Sequence, residues 1–230
     1  MKPYLICHMV SSIDGRILPS RWRPQVREGD LYDRLHHELG GQAWLVGRVT
    51  GQEFAKAETY PAPSEAVFPR EPWIAQRGAS GYGVVLDAAG KIAWGRSDIG
   101  GDPIVVILTE QVSDAHLAGL RSDGVSYLFA GETSIDLPRA LEILNRELGV
   151  ERLILEGGGI ANGAFLREGL VDEISLIVWP TVDGAAGAPS VFDSLAADAD
   201  RLAPVRAMHL LSCESMADGA VWLRYRVENG

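Results

Sequence analysis

The chain has 230 residues, 47% of them hydrophobic, and sets 21 Lys and Arg against 31 Asp and Glu for a formal charge of −10. That length can bury a sizeable core, and the acidic balance works against nucleic acid, whose phosphates need a basic face. No apolar run reaches the ~18 residues that span a bilayer, and the first run, YLICHMV, is too short for a secretory signal, so a cytoplasmic protein with no membrane partner is expected.

In chain order, PYLICHMVSSID opens with a strand from Pro3 to Ser11. DLYDRLHHEL follows, with Leu31, Leu35 and Leu39 at a spacing that fits one helix face. AWLVG (Ala43 to Gly47) is a short buried strand running into Arg48 and Thr50 at the start of a short helix. Gly51 to Tyr82 reads as a long loop, rich in proline (Pro61, Pro63, Pro69, Pro72) and carrying Tyr60, Phe68 and Trp73. Loops of that length tend to be functional, and a flap over a ligand is expected, with a packed structural loop as the alternative. GVVLD (Gly83 to Asp87), PIVVILT (Pro103 to Thr109) and VSYLFA are strands. SDAHLAGL is a helix capped by Ser113 or Asp114. DLPRALEILNREL is a stronger one, with Asp136 as cap, Pro138 in the first turn, and Leu141, Leu144 and Leu148 on one face. RLILE then runs into three glycines, a helix AFLREGL and the strand EISLIVWPTV. The tail is two strand-like runs, MHLLSCESM and AVWLRYRV, around Ala217-Asp218-Gly219, a hairpin signal. The chain is therefore α/β on a mixed sheet with an antiparallel ending.

Cys7 and Cys213 read as two buried thiols in a reducing compartment. There is no CxxC pair and no HExxH, and the adjacent His36 and His37 point in different directions on a helix, so no metal site is expected.

The unit LILEGGGIANGAF places Gly157, Gly158 and Gly159 between a buried strand and a helix. The first turn of a helix carries unpaired N–H groups and partial positive charge, and glycine lets a phosphate reach them. A tight strand–helix turn with no ligand would use the same glycines. The spacing is not GxGxxG, so the Rossmann fingerprint does not apply. Arg48 and Thr50 offer a second anion site of guanidinium fork and hydroxyl, and SSIDGRI (Ser11 to Ile17) supplies a third turn after strand one. Together these suggest a ligand with two separated phosphate groups.

With SSIDGRI, LVGRVT, VVLD, LILEGGG and LVDEISLIVWPTVDG in that order, the chain resembles the reductase domain of riboflavin biosynthesis, the C-terminal domain of the bifunctional deaminase–reductase. That family shares the dihydrofolate reductase fold. The resemblance runs from about Tyr4 to Glu228. It implies a mostly parallel central sheet with helices on both faces and a C-terminal antiparallel hairpin, in one reductase domain over residues 1–230. It implies NADPH as hydride donor, a pyrimidine ribosylamino phosphate as substrate (the 5-amino-6-(5-phosphoribosylamino)uracil reductase type) and a homodimer. Residue by residue, it implies a pyrophosphate loop over Gly157, Gly158, Gly159, Ile160, Ala161, Asn162, Gly163 and Ala164. Gly47, Arg48 and Thr50 would hold the 2′-phosphate side of the cofactor, Val10 would meet the nicotinamide through its backbone, and Trp22 and Asp87 would complete the cofactor contacts. Ser20 and Glu156 would face substrate, Glu156 accepting from the base and assisting proton delivery.

Two places depart from the family. Glu38 stands where an arginine for the substrate phosphate is usual, and GQEFAKAETYP replaces an aspartate-rich stretch. No cytidine-deaminase zinc motif precedes the domain, so the deaminase is expected to be a separate chain. The runner-up is a dihydrofolate reductase, in which Asp30 would be the acid, although Asp30 also reads as a helix N-cap. A third reading is an NADPH-binding regulatory module with no turnover.

Overall fold

The computed structural model describes residues 1–26, 29–60 and 66–230; Pro61 and Pro63 of the expected loop lie outside them. In chain order the elements are β1 (Tyr4–Ser11), α1 (Leu31–Leu39), β2 (Ala43–Gly47), α2 (Arg48–Glu53), β3 (Gly83–Leu86), β4 (Asp98–Ile99), β5 (Asp102–Leu108) and α3 (Asp114–Asp123), then β6 (Ser126–Phe129), α4 (Leu137–Leu148), β7 (Arg152–Leu155), α5 (Gly159–Arg167), β8 (Glu173–Val178), β9 (Val205–Ser215) and β10 (Val221–Asn229). They form two compact units. One comprises Met1–Pro3 and Gln42–Leu153, the other Tyr4–Gly41 and Ile154–Gly230, and β7 carries the chain from the first into the second.

In the first unit β2, β3, β5 and β6 pair in parallel, and the two-residue β4 lies antiparallel at the start of β5. Ile104 to Leu108 of β5 are each 0% exposed. That is why they read as a continuous apolar run: a parallel strand is covered on both faces. The helices follow their caps. Ser113 Oγ accepts from His116 N and starts α3, and Asp136 Oδ1 accepts from Arg139 N and starts α4. Pro138 sits in the first turn of α4, whose Leu141 and Leu144 are buried.

The expected 51–82 loop begins later than the sequence suggests, because Gly51 to Glu53 belong to α2. Its second half is fastened down within this unit. Trp73 and Tyr127 exchange backbone hydrogen bonds, Trp73 N donating to Tyr127 O at 3.0 Å and Tyr127 N to Trp73 O at 2.9 Å. The Arg121 guanidinium lies 4.4 Å from the Phe68 ring centre and 5.1 Å from that of Trp73. Arg70 is ion-paired to Asp114 at 2.6 Å. The aromatics thus meet α3 and β6, two elements far along the chain from them.

In the second unit β1 and β8 pair in parallel, and β10 runs antiparallel to both β8 and β9. The mixed, mostly parallel sheet and the terminal hairpin are as the alternation of elements predicts. Gly219, at φ +78, makes the hairpin turn, with Met216 N donating to Ala220 O at 2.8 Å. Leu31, Leu35 and Leu39 bury one face of α1. Cys7 is buried as expected, but Cys213 is exposed on β9, whose residues 208–211 also face outward, so the pairing of two buried thiols does not hold. Among the described residues no helix is long and apolar enough to cross a membrane.

Candidate active site

The glycines after β7 divide their work. Gly157 has φ +98, a conformation L side chains avoid, and its peptide bond to Gly158 is cis. Gly158 is the N-cap of α5, in extended backbone and with no side-chain cap hydrogen bond. A Cβ on Gly159 would run into the carbonyl oxygen of Ser190, and one on Gly163 into that of Asp193. The same segment is tied to α5 by Asp193 N donating to Gly159 O at 2.9 Å and by Asn162 Nδ2 donating to Val191 O at 2.8 Å. So Gly159, Asn162 and Gly163 serve close packing of α5 on residues 190–193. Gly158, Ile160, Ala161 and Ala164 are the residues of the expected cradle that carry some exposure. The helix begins at Gly159, five residues before the expected start at Ala164.

Glu156 directly follows β7 and reaches across to α1. Its Oε1 accepts from the Tyr32 hydroxyl at 2.8 Å and is 2.7 Å from His36 Nδ1. Tyr32 and His36 are one helical turn apart, so both reach the same carboxylate oxygen. The Glu156 side chain is 14% exposed and that of His36 22%. Beneath them, the His8 ring stacks on Tyr32 with centroids 4.5 Å apart. Ser175 Oγ lies 2.9 Å from His8 Nδ1 and accepts from Trp222 Nε1 at 2.8 Å. Nε2 of the same ring faces the Tyr32 carbonyl at 3.5 Å, which can only accept, so the neutral ring carries its proton on Nε2 and the serine hydroxyl donates to Nδ1. Burial pushes the His8 pKa down to about 4, against a smaller opposing pull from Glu156. Burial, then the charge and hydrogen bond of Glu156, hold the Tyr32 phenol well above its ordinary value. This is a carboxylate with fixed donors on one oxygen, at the carboxyl end of a buried strand, where ligands of open α/β sheets bind.

The turn SSIDGR does structural work in the same unit. Asp14 accepts from Ser12 Oγ at 2.6 Å, from Asp183 N at 3.1 Å and from Gly184 N at 2.9 Å. The Ser12 hydrogen bond, then the two backbone donors, keep its carboxyl well below the usual range. Arg16 Nη1 donates to Ala188 O at 2.9 Å, and Arg21 is ion-paired to Asp183 at 2.8 Å. The SSIDGR and PTVDG motifs therefore occur together because one folds the other. Trp22 is 0% exposed, its Nε1 donating to Arg16 O at 3.2 Å, so it supports this turn from inside. Ser20 is exposed in a short 3-10 turn, Pro19–Arg21, and Val10 is half-buried in register with Ile177. Asp30 holds the N-cap position of α1, but its side chain makes no cap hydrogen bond. Glu38 is exposed on the same helix.

Gly47, Arg48, Thr50 and Asp87 lie in the first unit. Gly47 is the N-cap of α2, and the exposed Arg48 opens its first turn, with Thr50 two residues on. Asp87 is 0% exposed. Its Oδ2 accepts from Lys91 N at 2.7 Å and Ile92 N at 2.8 Å, which closes the turn after β3. Tyr32 escaped the sequence reading, and His36 entered it only as a metal ligand that was set aside. Their spacing beside Leu31 and Leu35 was the available signal, placing two polar rings at the edge of a buried face.

The model of the RibD C-terminal domain matches residues 3–222. A 2,5-diamino-6-ribosylamino-4(3H)-pyrimidinone 5′-phosphate reductase of Methanothermobacter thermautotrophicus is 29% identical over 195 residues, covering 84% of this chain and 85% of that protein. The enzyme of the same name from Archaeoglobus fulgidus is 26% identical over 84% of this chain and 87% of its own. Among solved structures, a pyrimidine reductase-like protein from Corynebacterium diphtheriae superposes with a TM-score of 0.71 at 20% identity, covering 99% of this chain and 93% of that one. At that identity the likeness speaks to the fold.

Proposed function

The chain belongs to the RibD C-terminal domain family, and we propose that it is an NADPH-dependent reductase of riboflavin-type biosynthesis, acting on the ribose of a pyrimidine ribosylamino phosphate. The observation that supports this most directly is the Glu156 carboxylate, partly exposed at the carboxyl end of β7 and held by Tyr32 and His36. Each unit by itself carries residues that suit a phosphate group: α5 opens with no side-chain cap behind Gly158 in one, and Arg48 stands exposed at the first turn of α2 in the other. NADPH would supply the hydride. The protein's share is to orient the sugar, exclude water and deliver one proton. In the net reaction the bond between the anomeric carbon and the ring oxygen breaks, the carbon takes the hydride and the oxygen takes the proton. Glu156 is the group at hand for that proton and for hydrogen bonds to the base. Residues 1–230 act as one reductase domain in a cytoplasmic homodimer; a monomer at micromolar concentration in light scattering would remove the dimer from this reading.

The test is loss of NADPH absorbance with three acceptors: the diaminopyrimidinone ribosylamino phosphate, its deaminated uracil counterpart, and dihydrofolate. Turnover of either pyrimidine is expected. Turnover of dihydrofolate alone would make the protein a dihydrofolate reductase. Tight NADPH binding with none consumed would make it a binding module.

A further inference from the structure

We propose that His36 is the proton store of the reduction, passing its Nδ1 proton to Glu156, which hands it to the substrate; this rests on the reductase reading above. Within the cluster each other group is held in one protonation state or turned away from the carboxylate. Tyr32 is half-buried and keeps its proton, since burial of its hydroxyl and Glu156 both raise its pKa. His8 is 0% exposed and neutral, its Nδ1 facing Ser175. Cys7 is buried, and burial followed by the Glu156 charge holds its thiol protonated. His37 touches His36 edge to face at 5.5 Å, and its own Nδ1 is turned to the Asp33 carbonyl. Among the described residues, His36, 2.7 Å from Glu156 Oε1 and 22% exposed, both contacts the carboxylate and reaches solvent. Imidazole is the side chain whose ordinary pKa allows loading and unloading near neutral pH.

The step balances. The step starts from His36 as imidazolium and Glu156 as carboxylate. The proton crosses from Nδ1 to the carboxylate and then to the sugar ring oxygen as its bond to the anomeric carbon breaks and the hydride arrives at that carbon. His36 is left neutral, Glu156 ionised, and the imidazole reloads from water. Tyr32 stays as a fixed donor that holds the carboxylate in place throughout.

Two measurements test this. The first needs no turnover: the His36 ring is titrated by NMR in the wild type and in Glu156→Gln. A ring pKa higher in the wild type by about one unit is expected for a close charge partner, and equal values would overturn the proposal. The second compares wild type with His36→Asn, which can still donate from the Nδ1 position but cannot ionise. A loss in kcat of about 100-fold is expected, with NADPH affinity unchanged and the alkaline fall of kcat/KM abolished. Wild-type rate and pH profile in His36→Asn would reduce His36 to a hydrogen-bonding residue and overturn it. If the wild type reduces no pyrimidine, the reductase reading fails by itself, and the NMR comparison still decides whether the two groups share a proton.

Discussion

Two carboxylates follow two short apolar strands, and the chain uses them in opposite ways. Asp87 follows GVVL in the first unit; Glu156 follows RLIL in the second. Asp87 has one methylene and folds back on its own turn, where a single oxygen accepts from two backbone N–H groups four and five residues on. Glu156 has two methylenes and reaches another element, where it meets side chains 124 and 120 residues away. One is sealed, the other partly open to solvent. An acid at the end of a strand is thus not a site by position. What fills its lone pairs decides.

The widest separation between the two is expected from replacing the carboxylate at 156 by an amide. Glu156→Gln keeps the shape and an acceptor for Tyr32 but cannot carry a proton. A loss of about 10²–10⁴-fold in kcat is expected, the range for a lost acid–base group, with little change in the denaturation midpoint. A folded variant with near-wild-type turnover would put proton delivery elsewhere.

The next effect is on stability and is confined to the floor under Glu156. His8 titrates at about 4 in the fold against 6.5 in its ordinary state. Between those values the unfolded chain binds the extra proton, so the contribution is fully present above 6.5 and is lost as the pH falls toward 4. Its ceiling is about 3 kcal/mol by linkage. Protonation would charge the ring stacked on Tyr32 and break the Ser175 donation. Chemical denaturation at pH 7 and pH 4.5 should show the wild type losing more stability than His8→Asn. Equal losses would mean that His8 is solvated in the folded protein.

Much of this was legible in advance because it is local. Buried parallel strands announce themselves as β-branched runs, Asp-Gly announces the hairpin, and Ser113 and Asp136 announce their helices. What was hidden is long-range. Gly163 looks like a phosphate glycine and is a packing glycine, because Asp193 lies thirty residues on in a stretch with no periodicity. The start of α5 was misplaced because Gly-Ile-Ala-Asn-Gly has weak helix propensity and is held by its packing on residues 190–193. Tyr32 and His36 were passed over as part of an ordinary amphipathic helix, since nothing nearby in sequence says that Glu156 faces them. Phe68 and Trp73 suggested a flap because the residues they pack on, Arg121 and Tyr127, are some fifty residues downstream.

The smallest effects are expected at Asp87, and they sharpen the comparison most. Asp87→Ala strands two backbone donors, one of them fully buried, and should cost about 2 kcal/mol. Asp87→Asn should cost less than about 1 kcal/mol, because one oxygen makes both hydrogen bonds and an amide still offers one oxygen. The other oxygen, Oδ1, has no hydrogen-bond partner among the described residues, so the amide nitrogen displaces no bond. The same isosteric change is thus expected to be nearly silent at 87 and to abolish most turnover at 156. NADPH titration by tryptophan fluorescence adds the discriminating readout, since the family resemblance counts Asp87 among the cofactor contacts. If Asp87→Asn folds normally and binds NADPH as the wild type does, its carboxylate is architecture alone. If affinity falls tenfold or more in a stable variant, the charge of the sealed acid is felt by the cofactor, and the contrast with Glu156 becomes one of degree.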